Sequence, residues 1–221
     1  MAKLSSENIV TLGSSLEHVH VPGRDLPNES DLIPHDEIEV GMGIHNEPGS
    51  HRVKATLDEL IKSMLVQLLD QNDKERAFLK YNSSDKFVLF INNLGGVSTL
   101  ELSGITAEVS LQLERDYQIK PVRTIQGTFL TSLNGMGFSI SLLRLQDTGL
   151  GAGKSMLELL DAPSEAVGWA APVQTSTWDN PSDATYDDNN SASDKETPSN
   201  LKGKFPTLNP TQVLGTNLTV L

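Results

Sequence analysis

Glu37-Ile38-Glu39-Val40-Gly41-Met42-Gly43-Ile44-His45-Asn46-Glu47-Pro48-Gly49 reads as a strand that ends on a histidine. Strand side chains repeat every two residues, so Ile38, Val40, Met42 and Ile44 fall on one face and Glu39, Gly41, Gly43 and His45 on the other. The two glycines leave that second face bare beside the imidazole, open to close approach by backbone or ligand. Pro48-Gly49 then stops the strand and places His45 at its C-terminal lip, where open α/β sheets keep their ligands. Glu39 lies ~20 Å back at ~3.3 Å per residue, too far to orient the ring. Glu47 is close in sequence, and two readings of it stay open: a carboxylate that supports the histidine, or a solvated loop residue.

Downstream of the turn, Leu57, Leu60, Ile61, Met64, Leu65, Leu68 and Leu69 form a helical stripe wide enough to cover a sheet. Thr56 and Glu59 have capping-box spacing at its start. Lys86 to Leu94 is a nearly continuous apolar run, the pattern of a strand buried on both faces, and Asn92-Asn93-Leu94-Gly95-Gly96 ends it in a turn. Ser98 and Glu101 repeat the cap ahead of a second stripe, Leu102, Ile105, Val109 and Leu113. Pro121 to Leu130 and Phe138 to Leu145 read as two more strands, and the turn cluster Asn134-Gly135-Met136-Gly137 predicts that they pair antiparallel. A short helix over 155–160 carries a third Ser-x-x-Glu cap, Ser155 and Glu158. The fold class is therefore α/β: a mixed β-sheet covered by helices in two layers.

Beyond about Pro172 the composition turns to Asp, Asn, Ser, Thr and Pro. Between Asp179 and Glu196 six carboxylates face the single Lys195. Such a segment buries too little apolar surface to offset ~1 to 2 kcal/mol of backbone entropy per residue, so disorder is expected there. The expected organisation is one folded domain over 1–172 and an acidic linker or tail over 173–221. The run lacks the ligand and glycine spacing of an EF-hand loop.

A net charge of −12 argues against nucleic acid as a partner, because binding a phosphate backbone needs clustered Lys and Arg. No window approaches the ~20 apolar residues of a membrane helix, so no membrane partner is expected. The chain has no cysteine, which rules out a thiolate nucleophile, a disulfide framework and a Cys-type zinc site; a cytoplasmic location fits this usage. His18 and His20 would share a strand face, but no third ligand accompanies them, so no metal site is expected. Thr148-Gly149-Leu150-Gly151-Ala152-Gly153-Lys154-Ser155 imitates a phosphate-binding loop, yet Thr148 stands where that loop needs its first glycine. Asn46 likewise breaks a dinucleotide fingerprint begun by Gly41 and Gly43.

GMGIHNEPG (41–49), VLFINNLGGVS (88–98) and GTFLTSLNGMGFSISLL (127–143) occur in that order. Together they resemble the substrate-binding domain of dihydroxyacetone (glycerone) kinases, above all the ATP-dependent single-chain fungal type. SLEHVHVPG (15–23) resembles the passage from the first subdomain of that domain into the second. The resemblance implies that residues 1–172 are the second, C-terminal half of the substrate domain. It also implies that His45 attacks the C2 carbonyl of dihydroxyacetone and holds the substrate as a hemiaminal, with Gly43 and Glu47 beside it as substrate-binding residues. Such a bond needs a carbonyl, so glycerol is excluded by chemistry.

By the same resemblance the full enzyme phosphorylates dihydroxyacetone or glyceraldehyde, with ATP and Mg²⁺ on a separate helical domain, and forms a homodimer. No cofactor is expected to bind this chain itself, and the general base belongs to the other half of the substrate domain. The isolated chain is therefore expected to be incomplete as a kinase. Two alternatives remain: a non-catalytic module that binds dihydroxyacetone or regulates, and a shortened gene product.

Overall fold

The computed structural model describes residues 1–19, 21–23, 32–45 and 47–169. His20, Asn46 and the expected boundary and tail beyond 172 lie outside the described residues. The elements run α1 (Ala2–Ser6), β1 (Ile9–Ser15), β2 (Ile38–Val40), β3 (His51–Val53), α2 (Leu57–Leu69), β4 (Phe87–Asn93), α3 (Thr99–Tyr117), β5 (Arg123–Gly127), β6 (Gly137–Arg144) and α4 (Met156–Leu160).

All three capping boxes form. Thr56, Ser98 and Ser155 each accept from the backbone N–H three residues on, and Glu59, Glu101 and Glu158 reach back to the cap residue's own N–H. These reciprocal bonds satisfy helix donors that have no intrahelical partner. They fix where α2, α3 and α4 begin.

Six strands form one mixed sheet in the order β3-β2-β1-β6-β4-β5. β4 is the strand buried on both faces that its apolar run predicts. Phe87, Leu89 and Ile91 face the main core with Leu60, Ile61, Met64, Leu65, Leu102, Val109 and Leu113 of α2 and α3. Val88, with Phe90 partly buried beside it, faces a smaller cluster made with Leu143 and Met156, against which Leu4, Ile125 and Leu157 pack. The α2–α3 layer therefore covers one side, and the short helices α1 and α4 supply apolar residues to the other.

The pairing of the last two strands differs from the expectation. β5 and β6 are not a hairpin: β5 runs parallel to β4 on one side, and β6 runs antiparallel to it on the other. The reason is β4 itself, whose hydrogen-bonding edges both need partners. The connection from β5 to β6 crosses the end of β4, where Asn92 accepts from the Phe129 and Leu130 amides at 2.9 and 3.0 Å and donates to the Leu130 carbonyl at 2.8 Å. Asn134-Gly135-Met136-Gly137 is thus a crossing segment, held by Gly96 N–H donating to the Gly135 carbonyl at 2.9 Å.

The strand expected to end on His45 also stops early. β2 ends at Val40 because Gly41 takes a φ of +80°, a left-handed conformation that glycine adopts without steric cost. β2 and β3 pair antiparallel, so the glycine-rich motif is the tip of a hairpin.

Candidate functional site

The loop from Gly41 to Ser50 is closed at its base by backbone. The Ser50 N–H donates to the Val40 carbonyl at 2.8 Å, and the Gly41 N–H donates to Gly13 of β1 at 2.8 Å. Within the loop the Gly43 N–H donates to the Glu47 carbonyl at 3.1 Å. This tight reversal brings Glu47 back onto His45. Glu47 Oε2 accepts from the His45 backbone N–H at 2.9 Å, and Oε1 lies 3.0 Å from His45 Nδ1.

Gly43 is what makes this possible. A Cβ there would lie 2.0 Å from Glu47 Oε2 and 2.7 Å from its carboxyl carbon. The bare face foreseen beside the imidazole is thus filled by the Glu47 carboxylate, which joins His45, Gly43 and Glu47 in one small constellation.

The hydrogen bond from the His45 backbone N–H, first among the causes, holds the Glu47 carboxyl below the ordinary glutamate range. An ionised carboxylate only accepts hydrogen bonds, so Nδ1 of His45 is the donor. The neutral ring then carries its lone pair on Nε2, the nitrogen away from Glu47. The imidazole is 79% exposed. What the arrangement offers chemically is an oriented, accessible ring nitrogen with a carboxylate behind it, able to act as a nucleophile toward an electrophilic carbon or as a base.

Glu39 does not touch His45, as its distance along the chain required. It is buried instead against His18, whose Nε2 lies 2.6 Å from Oε2, while Oε1 accepts from the Gly49 N–H at 2.8 Å. Burial pushes the Glu39 carboxyl up, but the Gly49 amide and the His18 ring together outweigh it, and the group sits below its ordinary value. The expected strand position of His18 is corrected: β1 ends at Ser15, and His18 turns toward β2 as a structural partner. Among the described residues no group of three or more His, Cys, Asp or Glu could hold a metal ion.

Sequence reasoning missed Ser132. It is buried, and its Oγ donates to the carbonyl of Ile44, the residue before His45. A serine in a turn cluster carries no signal of this kind.

The glycine-rich segment at 148–155 does not form a phosphate cradle. Asp147 Oδ1 accepts from the Gly149 N–H, Thr148 Oγ1 from the Leu150 N–H, and Ser155 is engaged by Glu158. Phosphate loops bind through free backbone N–H groups, and here two of them are already bonded to neighbouring side chains. Among the described residues, those of this segment do not fit the phosphates of ATP with its Mg²⁺.

A family model described as the Dak1 domain matches residues 1–168. The dihydroxyacetone kinase of Pichia angusta is 47% identical over 181 residues, 77% of this chain and 29% of that protein. Dihydroxyacetone kinase 1 of Saccharomyces cerevisiae is 46% identical over 178 residues, 76% of this chain and 30% of that protein. Among solved structures, the dihydroxyacetone kinase from C. freundii in complex with AMP-PNP and Mg²⁺ superposes with a TM-score of 0.55 at 26% identity, covering 66% of this chain and 25% of that one. The chain thus spans less than a third of the length of each of these relatives. With its motifs, its mixed sheet and three quarters of its length in register with them, the chain belongs to the Dak1-domain family of the dihydroxyacetone kinases.

Proposed function

We propose that this chain supplies the substrate anchor of a dihydroxyacetone kinase, with His45 Nε2 as the nucleophile that holds the C2 carbonyl of dihydroxyacetone or the carbonyl of glyceraldehyde. The observation that carries the reading is the pairing of His45 Nδ1 with the Glu47 carboxylate, which orients the ring and leaves Nε2 free. In the anchoring step Nε2 forms a bond to the carbonyl carbon, and the C=O π electrons move to oxygen, which takes a proton from solvent. The positive charge on the ring is relieved as the Nδ1 proton shifts toward Glu47. The product is a hemiaminal that retains every atom of the substrate. Gly43 keeps the space into which Glu47 folds, and Glu47 orients the ring.

Phosphorylation of the anchored triose belongs to the longer protein, with ATP and Mg²⁺ bound outside the residues described here. Transfer depends on donor, metal and acceptor being positioned together. Residues 1–172 then form the second half of the substrate domain and 173–221 a linker or tail. A homodimer in the cytoplasm accompanies the reading; among the described residues no helix is long and apolar enough to cross a membrane. The second reading is a carbonyl-binding module without transfer activity, in which the same His45–Glu47 pair holds the carbonyl and no phosphoryl group is passed to it.

Native mass spectrometry of the chain with dihydroxyacetone or glycerol tests the anchor. The expected result is a gain of one whole dihydroxyacetone with no water lost, none with glycerol and none in His45→Ala. Equal uptake of both compounds would overturn it. Assays with ATP separate the two readings, since the full kinase reading requires turnover only when the rest of the protein is supplied.

A further inference from the structure

We infer that Glu39 and Ser132 are positioning residues for His45, two buried polar side chains that clamp the two ends of its loop from outside the motif. The inference deepens the anchoring role proposed above and rests on it.

The loop joins two strands of only three residues each. Backbone pairing closes its base but leaves its tip underdetermined. At the leading side, Ser132 Oγ donates to the Ile44 carbonyl, one peptide bond from His45. Ser132 is itself anchored: its N–H donates to the Leu94 carbonyl at 2.9 Å, and the preceding Phe129 and Leu130 are held by Asn92. The position of His45 is therefore referred to the end of β4, the most deeply buried strand of the sheet.

At the trailing side, Glu39 Oε1 accepts from the Gly49 N–H, and its other oxygen meets His18. Gly49 is packed so closely here that a Cβ would lie 2.5 Å from the Val40 carbonyl oxygen and 2.7 Å from Glu39 Cγ. Burying a carboxylate is costly unless its oxygens are satisfied. An apolar residue beside Ile38 and Val40 would fill the same space without that cost. What Glu39 adds is a directed bond to the loop, two residues from Glu47, the carboxylate that sets the ring. Both clamps bear on the backbone flanking the His45–Glu47 pair and touch neither side chain. A reacting nitrogen displaced by about 1 Å can lose about 10²-fold in productive encounters, which is the scale on which such clamps matter.

The test compares wild type with Ser132→Ala, Ser132→Thr and Glu39→Gln in the 221-residue chain. Two quantities are read: the dissociation constant for dihydroxyacetone, and amide hydrogen exchange mapped by segment. Glu39→Gln keeps an acceptor for Gly49 and loses the charge, so it is the milder probe of that side. We expect Ser132→Ala and Glu39→Gln to weaken binding about 10- to 100-fold and to speed exchange over 43–49 by more than in α2 and β4. Ser132→Thr restores both.

Unchanged affinity and unchanged loop exchange in both variants would overturn the inference while leaving the anchor intact. Weakened affinity with exchange over 43–49 speeded no more than in α2 and β4 would reduce both residues to general stabilisers, and also overturns it. A wild-type chain that binds no carbonyl overturns the anchoring reading instead, a distinct result, and loop exchange then still decides whether the clamps hold.

Discussion

Glu47 grips His45 at two points, its backbone N–H at 2.9 Å and its ring Nδ1 at 3.0 Å. The single carboxylate therefore sets both the main-chain path and the tautomer of the histidine. Because Gly43 leaves room for the carboxylate, the GMGIH run and the EPG run of the motif are one device rather than two.

Gly43→Ala places a methyl group on the Glu47 carboxylate. Glu47 is half exposed and can swing into solvent, so stability should change by less than about 1 kcal/mol, within the usual range for surface substitutions. Dihydroxyacetone binding should fall at least about 10-fold, a loss of ~1.4 kcal/mol. Calorimetry and thermal melts on one preparation check both halves.

Gly49→Ala meets backbone instead, the Val40 carbonyl, and backbone cannot step aside. Overpacking of this kind costs ~1 to 3 kcal/mol. The melting temperature should drop in this variant and hold in Gly43→Ala. A reversal of that order would contradict the packing described for the two ends of the loop.

Glu39 gives stability a pH dependence of known sign. Its folded pKa lies below the ordinary value, so the unfolded state binds the proton more readily. The contribution is fully present above the unfolded pKa of ~4.3 and is lost as pH falls through the lower folded value. The stability difference between wild type and Glu39→Gln, followed by urea denaturation, should shrink as pH falls below about 5. A difference that grows on acidification would contradict the assignment.

Ser98→Ala removes the cap of α3, a helix of 19 residues whose first turn depends on the reciprocal Ser98–Glu101 bonds. The expected cost is ~1 kcal/mol, read as a lower urea midpoint with an unchanged slope. Carbonyl binding at His45 should be unaffected.

The helix starts and the central strand were legible because their causes are local. A capping box needs only residues three apart, and the run from Phe87 to Leu94 carries its two-sided burial in its composition. The neighbours of that strand were not legible, since nothing within Pro121 to Leu130 states that β4 stands between β5 and β6. The glycines of the motif were noticed without the right geometry: Gly41 ends the strand through its positive φ, and Gly43 yields space to Glu47. His45 and its small partner Glu47 could be found from one stretch of chain. Ser132 and Glu39 could not, because their roles exist only through contacts with Ile44, Gly49 and His18 that the fold alone creates.

The proposed anchor is a covalent bond between the His45 ring nitrogen opposite Glu47 and a triose carbonyl. Carbon NMR of the chain with C2-labelled dihydroxyacetone, run beside His45→Ala, tests it most directly. The spectrum should show a protein-bound tetrahedral C2 resonance, coupled to nitrogen in histidine-labelled protein and absent from the variant. A bound substrate whose C2 remains a carbonyl, or a tetrahedral signal that persists in His45→Ala, would contradict it.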